Sequence, residues 1–128
     1  MLTVTKIFTF DASHNLPYYK GPCHNLHGHT YKLEVTVSGD IQEDKTKSDC
    51  GMIIDFSELK RIVNDTVISK YDHNYLNNFF ENPTAEIMVR QIAKDIENNL
   101  PKSVILCSVK LWEKIDGSYA EYNKFMGI

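Results

Sequence analysis

Three histidines in this sequence are spaced to meet on one metal ion. His27-Gly28-His29 places two imidazoles two residues apart, and on a β-strand residues i and i+2 point to the same side. His14 lies upstream, on what reads as a neighbouring strand. A catalytic zinc site typically takes three protein ligands, imidazole nitrogen among the favoured ones, and keeps a fourth position open. An H-x-H pair by itself arises by chance, and one histidine near a strand end is commonly a satisfied polar residue. The metal reading therefore requires all three rings to share an inward phase. His24 has the opposite parity and falls in a loop, so it stands outside the set.

Other side chains can move or hold protons. Cys23 precedes His27 in a loop with Gly21 and Pro22. A thiol becomes a base or nucleophile when neighbouring positive charge lowers its pKa; otherwise Cys23 is a half-buried spectator. Histidine is the side chain suited to proton transfer near neutral pH, so His73 can carry a proton, with Asp72 to orient it. The same pair also reads as the solvated end of a helix. Glu113 sits in the inward phase of its strand, where a carboxylate is costly without a partner. It can pair with a lysine, or accept two parallel N–H bonds from a fork-shaped donor such as the amino-pyrimidinone edge of a pterin. Thr84 and Glu86 open a helix, where capping and the helix dipole account for both. Tyr71, Tyr75, Phe79 and Phe80 can stack on a flat ring or simply pack.

These groups need elements to position them. Residues 2–14 alternate, with Leu2, Val4, Phe8, Phe10 and Ala12 on one face, and His14 falls in that apolar phase. A second strand runs from about 29 to 38, with Tyr31, Leu33, Val35 and Val37 inward; His27 and His29 share their parity. Gly28 between them is expected to allow an unusual backbone shape. Asp55 caps a helix whose apolar stripe is Phe56, Leu59, Ile62, Val63 and Val67, with Glu58 at the capping-box position. A second helix starts near Asn82-Pro83-Thr84, with Pro83 in the first turn, and ends before Pro101. Two strands near 104–114 and 118–124 follow, joined at Asp116-Gly117. In the first of these, Ile105, Cys107, Val109, Leu111 and Glu113 are expected to face one way. The result is an α+β unit in the order β-β-α-α-β-β, with antiparallel hairpins and both helices on one sheet face.

Composition is consistent with one soluble domain spanning 1–128. The chain has 128 residues, 42% hydrophobic and 24% charged. Its formal net charge of -3 argues against nucleic acid or an acidic membrane as the main partner. No run is apolar enough to span a membrane, and the first residues do not read as a signal peptide, so a cytoplasmic location is expected. The 3 cysteines, Cys23, Cys50 and Cys107, are odd in number and scattered, which argues against a disulfide framework.

Six blocks then identify a resemblance. They are Phe10-Asp11-Ala12-Ser13-His14, Cys23-His24-Asn25-Leu26-His27-Gly28-His29, Gly51-Met52-Ile53-Ile54-Asp55-Phe56, Asp72-His73-Asn74-Tyr75-Leu76-Asn77, Glu81-Asn82-Pro83-Thr84-Ala85-Glu86, and the strand ending at Glu113. In this order they resemble the family of 6-pyruvoyl- and 6-carboxy-tetrahydropterin synthases across nearly the whole chain. The resemblance implies a tunnelling fold (T-fold): a four-stranded antiparallel sheet with two helices on one face, closing with other copies into an oligomeric barrel. It implies a homohexamer built as a dimer of trimers, with active sites between subunits. It assigns Zn2+ to His14, His27 and His29, proton acceptance to Cys23, a relay to Asp72 and His73, pterin anchoring to Glu113 and a pterin contact to Thr84. The Cys23-to-His29 spacing, C-x-x-x-H-G-H, resembles the carboxy-type branch. That branch converts 7,8-dihydroneopterin triphosphate to a carboxy-pterin, acetaldehyde and triphosphate, and feeds queuosine and other 7-deazapurine pathways. Pyruvoyl-type synthesis from the same substrate and non-catalytic zinc or pterin binding are the rivals. Ser13, Cys50 and the long loop 40–50 depart from the family pattern without touching these roles.

Overall fold

The computed structural model describes residues 1–125. Strands β1 (Thr3–His14) and β2 (His27–Gly39) form a long antiparallel hairpin, in register from Thr3↔Ser38 to His14↔His27. A polar connection leads to α1 (Phe56–Val63), which continues through a π-helical turn (Asn64–Ile68) into the single turn α2 (Ser69–Tyr71). Strand β3 (Asn74–Tyr75), helix α3 (Ala85–Asn99) and strands β4 (Val104–Trp112) and β5 (Tyr119–Asn123) follow. The sheet order is β3-β1-β2-β4-β5. The expected α+β unit is present, with one addition. The two residues of β3 pair parallel to Ala12 and Ser13, so five strands rather than four line up among the described residues.

Alternation in β1 and β2 sorts the side chains as expected. Phe8, Phe10, Ala12, Tyr31, Leu33, Val35 and Val37 are buried against Leu59, Ile62, Met88 and Ile92 of the helices. Fully burying a residue such as Leu33 contributes roughly 1.5–3 kcal/mol. The Phe10 and Tyr31 rings stack with centroids 5.0 Å apart just below the histidines. Asp55 caps α1 by accepting from the Ser57 N–H at 2.8 Å.

Several local expectations change, among them Phe56, which is exposed rather than part of the buried α1 stripe. A β-bulge opposite Thr36 and Val37 shifts the phase of β4, so Val104 and Leu106 point into the core before it and Val109 and Leu111 after it. Ile105 is consequently exposed, and Cys107, though buried, stands outside the core cluster with its sulfur 3.9 Å from Met1 Sδ. A bulge inserts an odd residue, which simple alternation cannot anticipate. Pro83 lies just before the α3 cap rather than inside the first turn, because Thr84 is the N-cap.

Candidate active site

Three inward positions at one end of the hairpin collect the imidazoles. His14 pairs across the ladder with His27, and Ala12 with His29, so the rings lie on adjacent inward rungs. One ring nitrogen from each of the three lies within 4.8 Å of the others. His14 is buried at 1% exposure, while His27 and His29 are half-buried.

Hydrogen bonds fix how two of the rings present themselves. His14 Nδ1 donates to the Pro83 carbonyl at 2.9 Å, and His27 Nδ1 to the Asn25 carbonyl at 2.7 Å. A carbonyl oxygen only accepts, so Nδ1 carries the hydrogen in each neutral ring and Nε2 keeps its lone pair. The two Nε2 atoms nevertheless face each other at 3.0 Å. Two lone pairs at that distance repel unless a cation or proton lies between them. His29 Nε2 is buried without a hydrogen-bond partner. Glu113 Oε2 approaches it to 3.1 Å, but not along a hydrogen-bonding direction. Burial, then the His14 and His27 rings, lowers the His29 pKa to about 4, so the contact with Glu113 is not an ion pair at neutral pH. Burial also lowers the His14 pKa. Rings whose Nε2 atoms converge, one of them unpartnered, make a donor set that fits a tetrahedral divalent ion, and carbonyl partners behind the ligands are the usual outer shell of such a site.

Glu113 follows β4, and its backbone N–H donates to the Ser118 carbonyl at 3.3 Å. The inward phase expected for it holds because the bulge lies upstream. Thr84 Oγ1 accepts from the Ile87 N–H at 3.2 Å, which is the capping role. Gly28 needs no special backbone: its φ is not positive, and an added Cβ would meet only the Ala12 carbonyl at an ordinary 3.6 Å.

The Asp72-His73 pair belongs to the opposite face. Asp72 Oδ1 accepts from the Asp11 N–H at 3.0 Å, and the His73 N–H donates to the Asp11 carbonyl at 2.6 Å. Asp11 carries the outward phase of β1, and its Oδ1 accepts from Thr30 Oγ1 at 2.6 Å. His73 turns the chain from α2 into β3 with a φ of 59°, a left-handed conformation that a non-glycine residue adopts at a cost. Its Nδ1 lies 3.1 Å from Asp72 Oδ2, and its side chain is 79% exposed. The Asp11 N–H holds the Asp72 carboxyl below its ordinary pKa, aided by His73. Next to the pair lies a cleft of about 670 Å³, lined by Ser13, Gly28, His29 and Thr30 of the hairpin and by Asn74 and Tyr75 of β3.

Cys23 sits half-buried in a 3-10 turn, Pro22–His24, within the β1–β2 connection. Among the described residues its side chain makes no hydrogen bond with Asp72 or His73. One chain thus brings together His14, His27, His29 and Glu113, and separately Asp72 with His73. The Asp11–Thr30 support beneath the Asp72-His73 pair went unread in the sequence, since an outward Asp and Thr on paired strands look like ordinary surface.

The family described as 6-pyruvoyl tetrahydropterin synthase matches residues 3–124. A 6-carboxy-5,6,7,8-tetrahydropterin synthase of Haemophilus influenzae is 34% identical over 144 aligned positions, covering 97% of this chain and 100% of its own. A dihydroneopterin monophosphate aldolase of Pyrococcus furiosus is 39% identical over 105 positions, 82% of this chain and 83% of its own. The 6-pyruvoyl tetrahydropterin synthase structure of Caenorhabditis elegans superposes with a TM-score of 0.79 at 23% identity, covering 95% of this chain and 94% of that one. With its histidine cluster at the loop end of a T-fold hairpin, the chain belongs to the 6-pyruvoyl tetrahydropterin synthase family.

Proposed function

We propose that the protein is a zinc-dependent lyase that converts 7,8-dihydroneopterin triphosphate and one water to 6-carboxy-5,6,7,8-tetrahydropterin, acetaldehyde and triphosphate, a step that would feed 7-deazapurine synthesis such as that of queuosine. The observation that carries this reading is the pair of Nε2 lone pairs of His14 and His27 facing each other, with each Nδ1 tied to a backbone carbonyl. The carboxy-type product is supported by the Haemophilus influenzae relative, which covers essentially the whole chain, and by the Cys23-to-His29 spacing.

His14, His27 and His29 would hold the ion. Zinc bound there supplies Lewis acidity and stabilises developing negative charge. Glu113, at the rim of the histidines, would accept the N–H donors of the pterin ring and so set the reacting carbon in place. The Thr84 hydroxyl accepts the cap bond and still has its own O–H to donate toward the ring. Cys23 as thiolate would take a carbon-bound proton, and His73, oriented by Asp72, would return one. The histidines and the Asp72-His73 pair lie on opposite faces of one sheet, so the relay requires a second copy to bring its own Asp72 and His73 to this site. That geometry supports a homo-oligomer with active sites between subunits, a hexamer of two trimers in this reading.

The test is to incubate the purified protein with 7,8-dihydroneopterin triphosphate, identify products by mass and measure bound metal alongside. The carboxy-pterin with acetaldehyde is expected, and replacing Cys23 with alanine abolishes it. A pyruvoyl product, or turnover only of the monophosphate as the Pyrococcus furiosus relative's name describes, would move the chain to another branch. Wild-type turnover by Cys23→Ala would remove the assigned base.

A further inference from the structure

Where β1 ends, one side chain takes over from the sheet. Strand β3 pairs with Ala12 and Ser13, and beyond it no backbone strand continues along that edge among the described residues. Asn77 fills the next position. Its Oδ1 accepts from the Asn15 N–H at 3.0 Å, and its Nδ2 donates to the Asn15 carbonyl at 2.9 Å. A carboxamide offers one acceptor and two donors, so it reproduces the two bonds a backbone rung would make. The Tyr75 hydroxyl donates to the Asn15 side-chain oxygen as well. Asn15 is therefore held through its N–H, its carbonyl and its side chain, all by residues 75–77.

The next residue passes this constraint to the loop. Leu16 N–H donates to the Cys23 carbonyl at 2.9 Å. The turn carrying Cys23 is closed on its other side by His24 N–H to Gly21 at 3.0 Å and Asn25 N–H to Pro22 at 3.1 Å. The Asn25 carbonyl in turn receives His27 Nδ1. Cys23 has no side-chain hydrogen bond of its own among those found in the described residues, so its backbone anchors decide where the thiol points. One of those anchors starts from the Asn15–Asn77 clasp.

We infer that Asn77 is a positioning residue for Cys23: it sets the exit angle of the chain after His14 and, through Leu16, the place of the thiol. This rests on the reading of Cys23 as the base, but the clasp can be tested apart from it. Among the described residues the Asn77 side chain hydrogen-bonds only to the Asn15 backbone and to none of the three histidines, so its loss should spare the metal. A misplacement of about 1 Å at a reacting group can cost on the order of 100-fold in rate.

The experiment compares wild type with Asn77→Ala, Asn77→Asp and Tyr75→Phe. For each, metal content, kcat, KM and the rate of Cys23 alkylation by iodoacetamide are measured, the last by peptide mass spectrometry to separate Cys23 from Cys50 and Cys107. Asn77→Ala is expected to lower kcat about 10- to 100-fold, with KM and metal content within about twofold, and to raise the Cys23 alkylation rate. Asn77→Asp keeps the acceptor for the Asn15 N–H but sets a carboxylate against the Asn15 carbonyl, so it should not rescue. Tyr75→Phe removes one bond of the clasp and should fall between. Unchanged alkylation and unchanged kcat in Asn77→Ala would overturn the inference. So would parallel loss of metal and activity, which would mean that Asn77 acts on the fold around His14. If Asn77→Ala does not fold, Asn77→Asp and Tyr75→Phe decide on the same readouts. Faster alkylation of Cys23 together with wild-type turnover by Cys23→Ala would keep the clasp and sink only the role given to the thiol.

Discussion

The inner histidines and the outer Asp72-His73 pair are placed by adjacent residues of the same two strands, yet they are built in opposite ways. On the inner face, His14 and His27 are locked ring by ring through carbonyl partners, and the first of these partners, Pro83, comes from the segment that leads into α3. On the outer face the backbone is locked instead: Asp11 binds both Asp72 and His73, while the His73 ring stays in the open. A two-sided sheet separates neighbouring residues by its full thickness, so Asp11 and Ala12 serve different sites. The inner set is finished within one chain. The outer pair has a fixed base and an unfinished surround, which suits a group that completes its site against another copy.

The largest expected effect tests the inner half. His14→Ala and His29→Ala should each lower metal content to below about a tenth of an ion per chain and reduce turnover by roughly 1000-fold or more, since loss of an outer-shell partner alone typically costs 10- to 100-fold. His73→Ala should leave metal content unchanged by elemental analysis. Metal loss in His73→Ala, or full metal in His14→Ala, breaks the division between the two faces.

The next effect tests whether the halves belong to different chains. Cys23→Ala and His73→Ala should each lose about 100- to 10,000-fold in kcat, the usual worth of a general base or acid. Dissociated, mixed in equal amounts and reassembled, the two inactive variants should recover about a quarter of wild-type activity, because a heterologous interface joins an intact Cys23 to an intact His73 at that frequency. If one chain supplied both groups, the mixture would stay as inactive as its parts.

Much of this was legible in the sequence. Parity alone placed His14, His27 and His29 inward, because a strand's period of two leaves a side chain only two choices. The inward phase of Glu113 was read correctly for a reason that nearly failed: the β4 bulge shifts every upstream residue, yet Glu113 lies beyond it. Ile105 and Cys107 lie on the other side and were misplaced. The parallel pairing of β3 and the left-handed turn at His73 were not visible, since both depend on the Asp11 backbone, distant in sequence. The face that Asp72 and His73 occupy could not be read for the same reason.

Acid should separate the two faces by pH. The His29 pKa is lowered to about 4 and that of His14 is also lowered, both chiefly by burial. In metal-free protein the unfolded chain therefore binds more protons than the folded one below the ordinary histidine value of 6.5. Stability falls as pH drops from there toward about 4, and the His29 contribution is flat below that. Asp72 has the opposite position: its carboxyl is held below the ordinary 3.8, so its contribution is present above that value and is lost only as pH falls through the lowered pKa. Denaturant unfolding across pH should show two limbs, with His29→Gln flattening the first and Asp72→Asn the second. A single limb abolished by either variant would mean that the two faces titrate as one unit.

The smallest effect concerns Thr84, beside the Pro83 carbonyl that holds His14. Its oxygen accepts the α3 cap bond, and in the proposed reading its O–H donates to the pterin. The two roles come apart by substitution. Thr84→Ala loses both, costing about 1 kcal/mol of stability for the cap and roughly 0.5–1.5 kcal/mol of binding, a two- to tenfold rise in KM. Thr84→Ser restores both. Thr84→Asp restores the cap with an ionised carboxylate that has no hydrogen to donate, so stability should return while KM stays raised. If the aspartate variant recovers KM along with stability, Thr84 is a cap and nothing more. Metal content across the series then shows whether loosening the start of α3 reaches His14 through Pro83; an unchanged value would mean that the inner site is held by the strand ladder rather than by the helix.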